Sequence, residues 1–234
     1  MNRTRRNLIL SILGGIGGGC SGQRTAPLTR PGPAWPKLST RPRPLDSGKV
    51  VLPPATADAP GAVRQNLSII PRSRWTRAQP RYHQLNPMNK IYRITVHHEG
   101  APSPVYFTSY RDSRKRLEII RSYHIERGWA DIGYHYVIDR AGRIWSARSA
   151  RYQGAHVKDW NEKNLGIMLL GNFDQQKPSL AQRTTLQSAL QSSMHLHRVP
   201  IRLVHTHQEL ARGRTRCPGN SLQRYVDYLR RRLA

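Results

Sequence analysis

Residues 165–171, LGIMLLG, form an unbroken apolar run ending in Gly171. A run of this length without polar alternation suits a central strand, which needs layers above and below its sheet. Other segments supply the neighbours. KIYRITVHH (90–98) alternates Ile91, Arg93 and Thr95 with Tyr92, Ile94 and Val96, as a strand ending at two histidines does. Residues 133–147 read as a strand, a turn at Arg140-Ala141-Gly142 and a second strand, and IRLVH (201–205) as a short strand. Between them lie helical patterns. Residues 105–127 place Tyr106, Tyr110, Leu117, Ile120 and His124 along one face, and Ser179 with Gln182 forms a capping box before Leu186, Leu190 and Met194. The last helix turns Leu222, Tyr225, Val226, Leu229 and Leu233 inward. Strands interleaved with helices predict an α/β fold, a mixed central β-sheet flanked by helices, over residues 68–234.

The amino-terminal part has a different composition. Residues 1–20 pair a basic start with an apolar run from Leu8 to Ile16, too short to span a bilayer. This predicts an export signal, and hence a periplasmic or envelope location. TRRNLIL is similar to a twin-arginine signal, and GGGC to a lipoprotein cleavage box in which Cys20 would carry the lipid, against simple cleavage nearby. Residues 21–67 hold nine of the seventeen prolines and are expected to be a disordered tether.

Lys and Arg number 39 against 13 Asp and Glu, a net charge of +26, which implies an anionic partner without naming it. Nucleic acid is disfavoured, because an export signal argues against it. The two cysteines, Cys20 and Cys217, lie in the targeting segment and deep in the patterned region, so no disulfide framework is expected. Imidazole and thiolate together suit zinc. His97 ends one strand, His207 follows another and Cys217 lies in the loop beyond. Spacing alone leaves the alternative open, a buried Cys217 with surface histidines.

Five motifs, IIPRSRW, ITVHH, HIERGWADIGYHYVIDRAGRIWSAR, NLGIMLLGNFD and THQELARGRTRCPG, stand in an order that resembles the zinc N-acetylmuramoyl-L-alanine amidases shared by small phage lysozymes and peptidoglycan recognition proteins. The resemblance spans about residues 69–231. It implies a peptidoglycan recognition protein-like amidase fold, zinc held by His97, His207 and Cys217, and hydrolysis of the bond between N-acetylmuramic acid and L-alanine in peptidoglycan or its muropeptides. It implies catalytic roles for Tyr134 and Thr215, and substrate binding by His156 and Trp160 of GAHVKDWN. The interval from His207 to Cys217 is two residues longer than usual, which puts His205 in competition with His207, although HQEL fits His207 better. A non-catalytic peptidoglycan-binding module is the alternative function, and retention of Cys217 favours catalysis.

The remaining candidates have plainer readings. His98 is expected to pack or bond behind the site, His124 to lie in the core and His135 to point away. Trp129 and Trp145 read as core or rim residues. Glu99, near His97, is a poor candidate for the general base, because the family carries a small hydroxyl residue there. Oligomeric state is not legible.

Overall fold

The structure, a computed structural model, describes residues 67–212 and 214–234. The export signal, Cys20 and the tether up to residue 66 lie outside the described residues. Leu67, the last residue of the expected tether, packs against the core.

Six strands build one mixed sheet: β1 (Ile69–Ile70), β2 (Arg93–His98), β3 (Tyr136–Ile138), β4 (Ile144–Ser146), β5 (Asn164–Leu169) and β6 (Val204–Thr206). Their spatial order is β1-β4-β3-β5-β2-β6, with only β3 and β4 antiparallel. β5 is therefore interior, parallel to β3 on one side and β2 on the other. Every one of its residues is buried, which accounts for the apolar run.

The helices are α1 (Tyr110–Glu126), α2 (Leu180–His197), a single turn α3 (His207–Leu210) and α4 (Asn220–Leu233). On one sheet face, Ile94, Val96, Leu165, Ile167 and Leu169 pack against Leu186 and Leu190 of α2 and Leu222, Val226 and Leu229 of α4. On the other, Val137, Trp145 and Met168 meet Leu117 and Ile120 of α1, with Trp75 fully buried beside them.

The strand read over 90–98 begins at Arg93, and two further boundaries differ from the sequence reading for physical reasons. α1 begins at Tyr110 rather than 105, because Val105 is held extended by Gln176, whose Oε1 accepts from Val105 N at 2.6 Å and whose Nε2 donates to Val105 O at 2.9 Å. Tyr106, expected on the inner helix face, is exposed and precedes the helix. Residues Ile201–Leu203 form a 3-10 turn after Pro200, so the strand expected at 201–205 is confined to Val204–Thr206.

The capping box at Ser179 and Gln182 forms as expected and does more than end a helix. Gln182 is fully buried; its Nε2 donates to Leu170 O at 2.9 Å and its Oε1 accepts from Arg140 at 2.8 Å and from Ser179 N at 3.1 Å. Gln182→Leu should lower stability by about 1–3 kcal/mol through stranded polar partners, against about 1 kcal/mol for Ser179→Ala. Urea midpoints that reverse this order would show that the amide bridge carries little.

Candidate metal centre

β2 carries His97 into the interior, where the ring has no exposed surface. β6 runs parallel beside β2, and the chain leaves it directly into α3, whose first residue is His207. The loop before α4 brings Cys217 back to the end of β2. There the Cys217 thiol accepts from His98 N at 3.4 Å and lies 3.6 Å from His97 Nδ1. One donor atom from each of His97, His207 and Cys217 falls within 4.8 Å of the others. The structure thus brings together the three expected ligands, and selects His207 over His205, which pairs with Thr95 two residues earlier in β6.

The donor set fits zinc. Bonds of about 2.0 Å to nitrogen and about 2.3 Å to sulfur in a tetrahedron put donors roughly 3.3–3.5 Å apart, so a modest inward movement closes the triad. Burial pushes the Cys217 thiol up to about 12 and lowers His97 well below the usual histidine range, with the neighbouring His156, His207, His98 and His135 adding to the second shift. The nitrogens are thus uncharged donors, and metal entry must displace the thiol proton.

Tyr134 stands beside this cluster, its ring 5.2 Å from that of His97. Its hydroxyl has no hydrogen-bond partner among the described residues, and burial, with contributions from Cys217 and Glu99, raises its pKa. Thr215 Oγ1 accepts from Cys217 N at 3.1 Å, so it braces the ligand loop. Glu99 is not free to act as a base: its carboxylate pairs with Arg116 and accepts from Gly171 N at 3.3 Å.

His156 and His135 lie differently from the sequence reading, and Trp160 stands apart from the metal cluster. His156, expected to line the substrate groove, is buried, with Nδ1 3.0 Å from His97 Nε2 and Nε2 3.1 Å from Asn164 O. Both nitrogens are engaged within the protein, which leaves neither for a substrate. Trp160 is 38% exposed and lies over Arg93, 4.5 Å from guanidinium to ring. Arg93 is four residues before His97 on β2, about 13 Å away along an extended strand, so Trp160 is not part of the metal cluster. His98 bonds behind the site as expected, its Nδ1 accepting from Phe173 N at 3.3 Å. His135, expected to point away, instead packs edge-on against His156 with ring centroids 5.7 Å apart.

The His97–His156 pairing escaped the sequence reading, yet it left a signal. Gly166 interrupts an otherwise large-side-chain strand, and a Cβ there would come within 2.6 Å of His156 Cδ2. Glycine inside a strand marks such a close approach.

A family model described as N-acetylmuramoyl-L-alanine amidase matches residues 87–220. The chain is similar to peptidoglycan-recognition protein SC2 of Drosophila melanogaster, 27% identical over 67% of this chain and 83% of that protein. It is similar to the human N-acetylmuramoyl-L-alanine amidase, 31% identical over 66% of this chain but only 27% of that protein. The endolysin of Enterobacteria phage K11 is 36% identical over 46% of this chain and 72% of its own length. Among solved structures, Drosophila PGRP-LB superposes with a TM-score of 0.59 at 26% identity, over 66% of this chain and 89% of that one.

The buried histidines around the centre set a pH dependence. His124 and His135 each accept a backbone N–H at Nδ1, from Gly133 at 3.0 Å and Gly166 at 2.9 Å, and burial lowers both to about 4. Unfolded, each returns to about 6.5, so the unfolded chain binds more protons in between and stability rises with pH across that interval. Their contribution is complete above pH ~6.5 and is lost as pH falls toward about 4. Urea midpoints of the metal-free chain should decline through this window; a flat profile would contradict the assignment.

Proposed function

The chain belongs to the N-acetylmuramoyl-L-alanine amidase family, and on that basis we propose that it is a zinc-dependent hydrolase of the amide joining N-acetylmuramic acid to L-alanine in peptidoglycan. The observation that carries the proposal is the convergence of His97, His207 and Cys217, from three separate segments, on one point. These three would hold the metal. When bound, zinc supplies a Lewis acid for the scissile carbonyl and makes water nucleophilic near neutral pH.

The other residues have separable tasks. Tyr134, kept protonated by burial, would donate a hydrogen bond to the carbonyl oxygen as negative charge develops there. Thr215 already accepts from Cys217 N, so what it has to offer the reacting groups is its own proton. Trp160, partly open and backed by Arg93, supports stacking against a sugar farther along the polymer. Residues 1–20 support the same reading: an export signal would deliver the domain to the envelope, either free or held through a lipid on Cys20.

The full chain, given purified peptidoglycan, should release L-alanine amino groups. A chelator should abolish the release and added zinc restore it. Tyr134→Phe should lower kcat by about 10²–10³-fold, the usual effect of removing one oxyanion donor, with KM little changed. Polymer retained in a pull-down without any release would sink the catalytic proposal and leave a recognition module.

A further inference from the structure

We propose that His156 is a positioning residue, which selects the ring nitrogen that His97 presents to the metal. The argument is one of proton placement and starts at a group with no choice. Asn164 O is a backbone carbonyl and can only accept. His156 Nε2 lies 3.1 Å from it and must therefore carry a hydrogen. A neutral imidazole bears one hydrogen, so His156 Nδ1 is an acceptor. His97 Nε2 lies 3.0 Å from that Nδ1 and must donate to it. His97 Nδ1 is then left bare, and it is this atom that faces Cys217 Sγ at 3.6 Å.

Rotation of the His156 ring would break this order, and its packing opposes that. The ring edge sits over Gly166 with no room for a Cβ, and the loop that carries it is pinned where Asn161 Oδ1 accepts from His156 N at 2.8 Å and from Val157 N at 2.9 Å. His135 packs edge-on against its other side. A fixed carbonyl on β5 thus dictates, through two rings, that a lone pair and not an N–H points into the centre. Without that relay His97 divides between two tautomers, only one of which can bind metal at Nδ1.

This proposal rests on the zinc reading, and the experiment separates the two. In the metal-free full chain with ¹⁵N-labelled histidine, long-range ¹H–¹⁵N correlations should show His97 and His156 each protonated at Nε2 alone. The His97 signals are assigned by their loss in His97→Asn. Zinc affinity is then read by competition with a fluorescent chelator. His156→Phe keeps a ring but removes the acceptor, and should weaken zinc binding by about 10–100-fold, as loss of a ligand's orienting partner does. His156→Asn places an amide oxygen near the former Nδ1 and should recover part of that loss.

Wild-type protein with the His97 proton on Nδ1 would overturn the proposal even if the variants fail to fold. So would a folded His156→Phe variant that binds zinc as tightly as wild type. Wild-type protein that binds no zinc would instead remove the metal reading beneath it.

Discussion

A histidine ring with no surface open to water has to satisfy both nitrogens inside the protein, or the fold bears about 1–3 kcal/mol for each one left alone. His97 is such a ring, and its surroundings follow from that demand. One nitrogen meets His156 and the other faces the Cys217 thiol. Meeting the first demand brings His156 down onto β5, which is why residue 166 is glycine. Meeting the second brings the loop after α3 back to the end of β2, where His98 N and O lie within reach of the same sulfur.

The sheet explains why this demand arises on one face and at one edge. Ile94 and Val96 of β2, and Leu165, Ile167 and Leu169 of β5, point into the apolar layer under α2 and α4. The alternate residues, Thr95 and His97 on β2 and Asn164 on β5, are polar and buried. Each has a partner: Thr95 Oγ1 donates to Asn164 Oδ1 at 2.8 Å, Asn164 Nδ2 donates to Trp160 O at 2.7 Å, and His97 meets His156 at 3.0 Å. On that same face α1 packs on Val137 of β3, Trp145 of β4 and Met168 of β5, where the side chains are apolar. One face is thus divided into an apolar half that anchors a helix and a polar half that can present ligands. Buried networks of this kind favour folding only when every member is partnered.

This division shows how far the sequence could be read. The central strand, the hairpin after Tyr134, the capping box and the inward stripe of α4 were legible because each depends on local periodicity or a short motif. The ligand triad was legible only through resemblance, since spacing could not choose it among ten histidines. What stayed hidden depends on distant partners. The start of α1 was misplaced because Gln176, 71 residues away, claims both backbone groups of Val105. β1 is two residues long and exists only through its parallel pairing with β4. His156 was assigned to the substrate because its sequence neighbourhood says nothing of the carbonyl behind it. Gly166 and Gly154, where a Cβ would run into the His156 ring, were the local traces of that arrangement.

The excess of arginine, which composition alone ties to an anionic partner, has in part an internal explanation. Arg148 is 5% exposed and donates to three carbonyls, Ile132 O at 2.8 Å, Gln153 O at 2.7 Å and Asp131 O at 3.0 Å. Its backbone N–H donates to Tyr134 O at 2.9 Å. Arg72 and Arg121 both donate to Asp131 Oδ1 at 3.0 Å. These guanidiniums clamp the short segment that delivers Tyr134 to the centre, a segment with no strand or helix of its own. Burial lowers Arg148 to about 10, still far above neutrality, so the clamp keeps its charge and its full set of donors. Such arginines face inward, and a count of charge cannot tell them from those that meet a polymer. The position of Tyr134 therefore rests on the same residues that made the composition look like an anion-binding surface.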